Sequence, residues 1–217
     1  MRLKQTGIFE GRVQVRYSYG RFGWTRNGGK TWHGGIDLVA LDDKTIRMPY
    51  YKGKKITGKV TRARIVYNHN DKTWEWGWYV CVQLDANQTP DTVNFLYFCH
   101  CSCLLVSVGQ KVSSGDALAI MGQTGNAANG YDHTHLEARA TATGTGVDPT
   151  EYAGCANAVG IYGTQEVDAP ASDAAASTGK LQVITVGPVS QGDADAILAV
   201  CKERGLTDAG LYKSEWA

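Results

Sequence analysis

The 217-residue sequence predicts a mainly β fold, an antiparallel β-sheet or sandwich, followed by a small C-terminal α/β module. Short runs of β-branched and aromatic residues, separated by glycine-rich turns, fill the first 150 positions, and no segment there has a helical period. The composition then becomes small and polar, as in a linker. We therefore expect a β domain over residues 1–158, a linker over 159–179 and a module over 180–217.

The strands of the β domain are predicted from the alternation of apolar and polar positions. In KTWEWGWYVCVQLD, alternation would direct one set of side chains to one face: Trp74, Trp76, Trp78, Val80 and Val82. The segments VNFLYFC, LLVSV, ALAIMG and THLEARA are typical of further short strands, separated by turn sequences. Together these segments predict a sheet.

The C-terminal module has a βαβ-like pattern. KLQVITVGPVS and AGLYKSEWA are typical of strands, and GDADAILAVCKERGL between them is typical of an amphipathic helix. A unit of fewer than forty residues is too small to bury much of a core on its own.

Composition and charge argue against several classes of protein. The formal net charge is +1 and hydrophobic residues make up 43%, so the chain has no global bias towards nucleic acid and none towards disorder. The first thirty residues are basic, with seven Lys or Arg against Glu10. This pattern favours a solvated basic surface over attraction to an anionic polymer.

The N-terminal sequence and the cysteines predict the cellular compartment. MRLKQTGIFEGRVQ lacks the apolar run of a secretory signal, and no stretch has the roughly 20 apolar residues of a membrane span. The six cysteines are too sparse for a disulfide framework, so we expect reduced cysteines packed in strands. Synthesis in a cytosol is the resulting expectation.

The sequence has five histidines, and three of them belong to two closely spaced pairs of side chains that can bind metal. His133 and His135 in YDHTHLEARA are two residues apart, so a strand directs both side chains to one face and a helix does not. His33 and Asp37 in WHGGIDLV share a face if the segment is extended. A helix would also align them, but the glycine pair argues against one. Two strands can therefore bring three or four ligand-type side chains together.

Two imidazoles and one carboxylate form a ligand set for catalytic Zn²⁺, with a fourth position left to water. The same ligands can bind non-haem iron, but nothing in the sequence indicates the cosubstrate site that an iron oxygenase requires. His100, in LYFCHCSC, could be a ligand, a proton carrier or a surface residue. The pattern therefore predicts a metal site and favours zinc.

Three cysteines surround His100 in the sequence. Strand alternation would direct Cys99, Cys101 and Cys103 to one face and His100 to the other. A second, structural metal bound by these thiols is one interpretation, and packing of the cysteines in a strand is the favoured one. The fifth histidine, His69 in VYNHND, is predicted to lie in a loop.

The order of these motifs resembles the lysostaphin-like (LytM-type) zinc endopeptidases, which cut peptidoglycan peptides. The family pattern FHxGxD resembles WHGGIDLVA, its YaHL pattern resembles LYFCHCS, and its later segment ending in HLHFE resembles VGQKVSSGDALAIMGQTGNAANGYDHTHLEARA. The resemblance covers about residues 10–153. The sequence departs from the family pattern at Thr134 and Cys101, where the family has leucine. The side chain of Thr134 is expected to point away from the metal.

The resemblance implies a role for each of five residues. His33, Asp37 and His135 would be the zinc ligands, and His100 and His133 the catalytic histidines. A neighbouring imidazole can accept a proton from water and return it to the leaving amine, and an imidazolium can stabilise the oxyanion of amide hydrolysis.

The segment YGRFGWTRNGG resembles the region that walls the family's substrate groove. Trp32, Trp76 and Tyr131 could line such a cleft, and Trp74 and Trp78 could instead fill the core.

The resemblance also implies a biological setting. We expect a zinc endopeptidase that acts on bacterial peptidoglycan, without nucleic acid or membrane insertion, as a phage or prophage endolysin. Such an enzyme is made in the host cytoplasm and reaches the wall after release by a holin. The module over residues 180–217 would bind wall carbohydrate or self-associate into a homo-oligomer. The alternatives are a phage tail-associated wall hydrolase and a non-catalytic wall-binding activator, and the presence of all five site residues argues against the activator.

Overall fold

A computed structural model describes residues 2–167, which form a mainly β domain. All strand pairings among these residues are antiparallel, so the predicted fold class is confirmed for this part of the chain. The predicted module over residues 180–217 and the linker from residue 168 onward lie outside the described residues.

Fifteen short strands occur in the described residues. The first eight are β1 (Gln5–Thr6), β2 (Phe9–Glu10), β3 (Val13–Val15), β4 (Gly23–Arg26), β5 (Thr31–His33), β6 (Ile36–Ala40), β7 (Thr45–Arg47) and β8 (Thr57–Arg64). The others are β9 (Trp78–Leu84), β10 (Phe95–Leu104), β11 (Lys111–Ser113), β12 (Ala117–Met121), β13 (Thr134–Arg139), β14 (Gly146–Val147) and β15 (Gly160–Tyr162). The predicted LLVSV strand is wrong, because β10 runs on to Leu104 and the chain then turns before β11.

Helical structure in the described residues is confined to single turns, as the lack of a helical period predicts. They are α1 (Thr150–Ala153) and the 3-10 turns Ser18–Gly20, Asn27–Gly29, Trp74–Trp76 and Gly125–Ala127. Within residues 2–167, no helix has the length and apolar character needed to cross a membrane.

One sheet of eleven strands organises the domain, with the order β11-β8-β9-β10-β13-β6-β3-β15 along its main path. Strands β6, β13 and β10 are neighbours, and their register places Asp37 opposite His135 and His135 opposite Cys99. Opposed residues of antiparallel strands have Cβ atoms about 4.5–5.5 Å apart. The sheet register alone therefore brings two of the predicted ligands together.

The sheet separates a large apolar core from the face that carries the site. Alternate residues of β9 and β10 pack in the core: Val80, Val82, Leu96 and Phe98. The intervening residues form a small cluster on the opposite face: Tyr79, Cys81, Tyr97 and Cys99. His135 and Glu137 of β13 lie opposite Cys99 and Tyr97, and so belong to this second face, which we call the site face.

The predicted strand over KTWEWGWYVCVQLD is wrong in its first half. Trp74 and Trp76 lie in a 3-10 turn, and β9 begins at Trp78. The break is at Gly77, which has a φ of 62° and lies so close to Thr124 that a side chain would not fit. Trp78 therefore packs against the large core, whereas Trp74 and Trp76 pack against the site-face cluster.

The β domain extends beyond the predicted boundary at residue 158. Strand β15 pairs with β3, the Lys4 backbone N–H donates to the Glu166 carbonyl at 2.8 Å, and Gln165 donates to the Asp42 carboxylate at 2.8 Å. Residues 159–167, predicted as the start of the linker, are therefore attached to the β domain by sheet pairing and hydrogen bonds.

Candidate metal centre

Three buried side chains meet on the site face: His33 at the end of β5, Asp37 in β6 and His135 in β13. His135 Nδ1 lies 2.9 Å from Asp37 Oδ1 and 2.9 Å from His33 Nε2. His33 Nε2 lies 3.2 Å from the same carboxylate oxygen. The structure thus brings together the three side chains that the sequence suggests as ligands, and within residues 2–167 they are the one group of three arranged to hold a metal ion.

The donor set and its spacing fit a tetrahedral zinc ion. Zinc binds imidazole nitrogen and carboxylate oxygen at about 2.0–2.2 Å, which places neighbouring ligand atoms of a tetrahedron about 3.3–3.5 Å apart. The three donor–donor distances are 2.9, 2.9 and 3.2 Å, so the side chains need to separate by only a small movement. Two nitrogens and one carboxylate oxygen also leave the fourth position open.

The glycine pair of WHGGIDL separates two strands, so the expectation of one extended segment is wrong. His33 ends β5 in the β4–β5 hairpin, and Asp37 belongs to β6 in the large sheet. The chain passes close to β13 between them, and a Cβ on Gly35 would lie 2.3 Å from the Leu136 carbonyl oxygen and 2.8 Å from the His135 ring. Gly35 therefore allows the two halves of the site to approach each other.

Hydrogen bonds hold the donor atoms of His33 and Asp37 in place. His33 Nδ1 lies 2.8 Å from the Arg21 carbonyl oxygen, which can only accept, so Nδ1 donates and Nε2 faces the site. Burial by itself would raise the pKa of Asp37, but its close contacts with the His135 and His33 rings outweigh burial and hold the pKa well below its usual range. Asp37 is therefore a carboxylate, the form that binds metal.

His133 and His100 lie beside this group. Their ring centroids are 4.8 Å apart, and His133 Nε2 lies 3.9 Å from Asp37 Oδ1. His133 Nδ1 donates to the Tyr131 carbonyl at 2.9 Å, and His100 Nδ1 donates to the Thr124 carbonyl at 2.9 Å. Because each Nδ1 carries its proton, each neutral ring has its free lone pair on Nε2.

A β-bulge places His100 on the site face. Phe98 pairs with Val80 and Cys101 pairs with Trp78, so β10 has one more residue than β9 in this interval, and His100 has a φ of 65°. The expectation that the three cysteines share a face is therefore wrong. Cys99 faces the site and Cys101 packs in the large core.

Burial keeps the two catalytic candidates neutral. It lowers the pKa of His100 to about 3, and the same cause lowers the pKa of His133. Both rings are consequently unprotonated at neutral pH and can accept a proton at Nε2.

Glu137 is a residue of the site that the sequence analysis missed. Its carboxylate oxygen Oε1 lies 2.8 Å from His135 Nε2, on the side of the ring opposite the metal-facing Nδ1. Arg139 forms an ion pair with the other carboxylate oxygen. The two-residue spacing from His135 in HTHLE could have indicated the contact, because a strand directs both side chains to one face.

Arg26 was also missed. Its Nη2 donates to Asp37 Oδ2 at 3.0 Å and lies 2.8 Å from His33 Nε2. The expectation of a simply solvated basic surface is wrong in this region, since Arg12 likewise binds Asp42 through two nitrogens, at 2.8 and 3.1 Å. The charge pattern located the basic stretch but not the buried acids that it contacts.

The aromatic residues suggested for the cleft differ in position. The Tyr131 ring stacks on His133 with centroids 4.7 Å apart, so Tyr131 lies at the site. Trp32 is 38% exposed and packs edge-on against Trp24, which is 65% exposed, on the β4–β5 hairpin. Trp76 instead packs beneath the Arg139 guanidinium, 5.0 Å from its ring centroid.

The remaining candidate ligands lie outside the metal group. Cys99 and Cys101 are buried as free thiols, and Cys103 is exposed. His69 lies in a loop, as predicted, and stacks on Trp74 with centroids 4.1 Å apart. Neither the cysteines nor His69 contributes to a second group of three ligands within residues 2–167.

Comparison with solved structures finds matches at low identity and with TM-scores below 0.5. The chain is similar to the catalytic domain of lysostaphin from Staphylococcus simulans, at 22% identity, 63% of this chain, 89% of that chain and a TM-score of 0.44. The catalytic domain of the prophage-encoded M23 protein EnpA from Enterococcus faecalis is 21% identical. That match covers 63% of this chain and 88% of the other, with a TM-score of 0.46. A zinc-containing peptidase from Vibrio cholerae is 22% identical, and the match covers 64% of this chain and 33% of the other, with a TM-score of 0.37.

Comparison of sequences is more decisive. Curated proteins provide no match to the chain. Residues 32–149, more than half of the chain and the part that carries all five site residues, match the model of Peptidase family M23. The chain therefore belongs to peptidase family M23, and it is a zinc metallo-endopeptidase.

Proposed function

We propose that the protein hydrolyses amide bonds of bacterial peptidoglycan, in stem peptides or cross-bridges. His33, Asp37 and His135 hold the zinc ion, and His100 and His133 are the catalytic residues. The observation that carries the proposal is the convergence of these five side chains, from four strands and the segment before β13, at one point of the site face. Peptidoglycan is the substrate that family membership favours.

The chain's own residues supply the proton transfers. When bound, zinc supplies a Lewis acid that polarises the scissile carbonyl and lowers the pKa of water. His133 and His100 present unprotonated Nε2 atoms on the same side of the site, so one can accept a proton from the attacking water. The resulting imidazolium can protonate the leaving amine and stabilise the oxyanion.

The two histidines are held without a carboxylate partner on Nδ1. A backbone carbonyl fixes each ring in orientation but adds no full negative charge, so Nε2 keeps the low basicity that burial imposes. Each ring is therefore oriented for a proton transfer at Nε2.

We also propose that the enzyme is an endolysin, made in a bacterial host cytoplasm and acting on the wall after holin-type release. The support is a sequence pattern: a linker-like composition within residues 159–179, followed by a βαβ-like pattern over residues 180–217. That module would bind wall carbohydrate or associate with a second copy, either of which would raise the local concentration of catalytic sites at the wall.

Mass spectrometry of fragments released from purified cell walls tests the proposed function. The full chain, loaded with zinc, should release fragments with new amino termini from the walls of a susceptible bacterium, and a chelator should abolish the release. His133→Ala should be inactive, and His69→Ala is the matched control, because His69 lies outside the site. New reducing sugar ends, or lysis by His133→Ala at the wild-type rate, would refute the assignment.

A further inference from the structure

We infer that Glu137 is a positioning residue, whose carboxylate fixes His135 as the tautomer that carries its proton on Nε2 and offers Nδ1 to the metal. The inference rests on the proposed role of His135 as a zinc ligand and extends it to a fourth side chain.

The geometry of His135 separates the functions of its two ring nitrogens. Nδ1 faces the ligand group, 2.9 Å from Asp37 Oδ1 and 2.9 Å from His33 Nε2. Nε2 faces away from that group and lies 2.8 Å from Glu137 Oε1. A carboxylate oxygen accepts and does not donate, so Asp37 and Glu137 can each accept a proton from this ring in the metal-free protein. Once Nδ1 gives its lone pair to the metal, the remaining ring proton lies on Nε2, where Glu137 Oε1 accepts it.

His135 differs in this respect from the other three histidines of the site. His33, His100 and His133 each donate Nδ1–H to a backbone carbonyl and direct Nε2 towards the site. His135 is reversed, with Nδ1 towards the site and Nε2 bound to a side chain. Its orientation therefore depends on a residue that a single substitution can remove.

The sheet holds Glu137 in position from three sides. Glu137 and His135 project from the same face of β13, and Tyr97 lies opposite Glu137 in the neighbouring strand. Arg139 pairs with the carboxylate of Glu137, and its guanidinium lies over the rings of Tyr97 and Trp76, at 4.8 and 5.0 Å from their centroids. Because Glu137 is only 5% exposed, its ion pair and its bond to His135 are little screened by water.

The glycine pair before Asp37 leaves the space that this contact needs. A Cβ on Gly35 would lie 2.8 Å from Glu137 Cγ and 2.8 Å from the His135 ring, too close for both side chains to remain where they are. A Cβ on Gly34 would lie 3.6 Å from Glu137 Oε1, an ordinary contact. The absence of a side chain at Gly35 therefore leaves room for the hydrogen bond between Glu137 and His135.

A carboxylate bound to the outer nitrogen of a ligating histidine orients the ring and raises its basicity. Loss of such a partner typically lowers metal affinity by about 10–100-fold. Glu137→Gln keeps an acceptor oxygen and loses the charge, whereas Glu137→Met loses both. We therefore expect a graded loss of zinc affinity, small for Glu137→Gln and about 10–100-fold for Glu137→Met.

Two measurements on the full chain test the inference. Zinc affinity is measured by competition with a chromogenic chelator, for the wild type, the two Glu137 variants and Glu75→Met, whose side chain is exposed. Long-range ¹H–¹⁵N NMR of the zinc-loaded proteins identifies which nitrogen of His135 carries the proton. The Nε2–H signal should be present in the wild type and in Glu137→Gln, and lost to solvent exchange in Glu137→Met.

A purely structural role would lower the stability of the metal-free protein without changing the His135 signal, so the free energy of unfolding is measured in chelator as well. The inference is overturned if wild-type His135 carries its proton on Nδ1, or if Glu137→Met binds zinc as tightly as Glu75→Met. The NMR measurement on the wild type alone decides the first point, even if a variant fails to fold. Zinc binding by His135→Ala at wild-type affinity would instead refute the proposed ligand set itself.

Discussion

Asp37 lies directly opposite His135 in the pairing of β6 with β13, and the Asp37 Oδ1 atom is 2.9 Å from His135 Nδ1. Backbone pairing therefore sets the positions of two of the three residues of the metal group before any metal is bound. The hairpin of β4 and β5 adds His33, and the bulge in β10 adds His100.

Removal of the shared carboxylate should abolish the metal site. Asp37→Asn replaces an anionic oxygen ligand by a neutral amide, in a position where both histidine ligands and Arg26 depend on the charge. Bound zinc, measured by elemental analysis after dialysis, should fall from one equivalent to a trace. Asp91→Asn, an exposed position, should keep its zinc. Stoichiometric zinc in the Asp37 variant would contradict the ligand assignment.

His133 should be required for catalysis but not for zinc binding. Its Nε2 is 3.9 Å from Asp37 Oδ1, outside the group of three donor atoms. His133→Ala should therefore keep one zinc and lose about 10²–10⁴-fold in kcat, as expected for loss of a general acid–base residue. Loss of zinc together with activity would instead make His133 a ligand.

Arg26 should oppose zinc binding while stabilising the metal-free protein. Its guanidinium bonds to Asp37 and lies 2.8 Å from His33 Nε2, the lone pair that a metal needs. Arg26→Met should increase zinc affinity several-fold and lower the free energy of unfolding in chelator by about 1–3 kcal/mol, since a buried carboxylate loses a charged partner. Lys30→Met, on the same hairpin, is the control. A decrease in zinc affinity would show that Arg26 orients Asp37 for the metal.

The two neighbouring glycines should respond differently to alanine. Gly35→Ala places a methyl group 2.3 Å from the Leu136 carbonyl oxygen, so it should cost about 1–3 kcal/mol of stability and reduce zinc affinity. Gly34→Ala meets its nearest atom at 3.6 Å and should be tolerated. Urea unfolding and zinc titration of the pair provide the comparison. Equal behaviour of the two variants would contradict the close approach of β13 at Gly35.

The ion pair between Arg12 and Asp42 should make stability depend on pH in the acid range. The Arg12 side chain is the main cause that holds the pKa of Asp42 below its usual range, against the effect of burial. A carboxyl with a lower pKa in the folded state contributes its full stability above the unfolded value of about 3.9 and loses it as pH falls through the folded value. The unfolding free energy of the wild type should therefore fall below about pH 4 more steeply than that of Asp42→Asn. Parallel profiles would contradict this role.

Local patterns in the sequence predicted much of the site. The spacing of His133 and His135 requires only that the backbone is extended from His133 into β13, because alternation then places both rings on one face. The resemblance to the endopeptidase family suggested all five residues, and the structure brings them together. The same alternation places Glu137, two residues after His135, on that face.

Other features could not be read from alternation because contacts between distant segments create them. Gly77 ends the tryptophan-rich turn where Thr124 approaches it, and Thr124 also binds Trp78 and His100. The bulge at His100 changes which side chains of β10 face the site. Both features break a period that continues undisturbed in the sequence.

Side-chain alternation and short spacings are local properties of a strand, so they were enough to predict the class of fold and the ligand-type residues. Contacts within the folded domain set which nitrogen of each histidine faces the site, place Arg26 against Asp37, and bring Glu137 to His135. These orientations and contacts depend on hydrogen bonds and steric limits between segments that are far apart in the sequence. A buried polar atom must find its partner wherever the fold provides one.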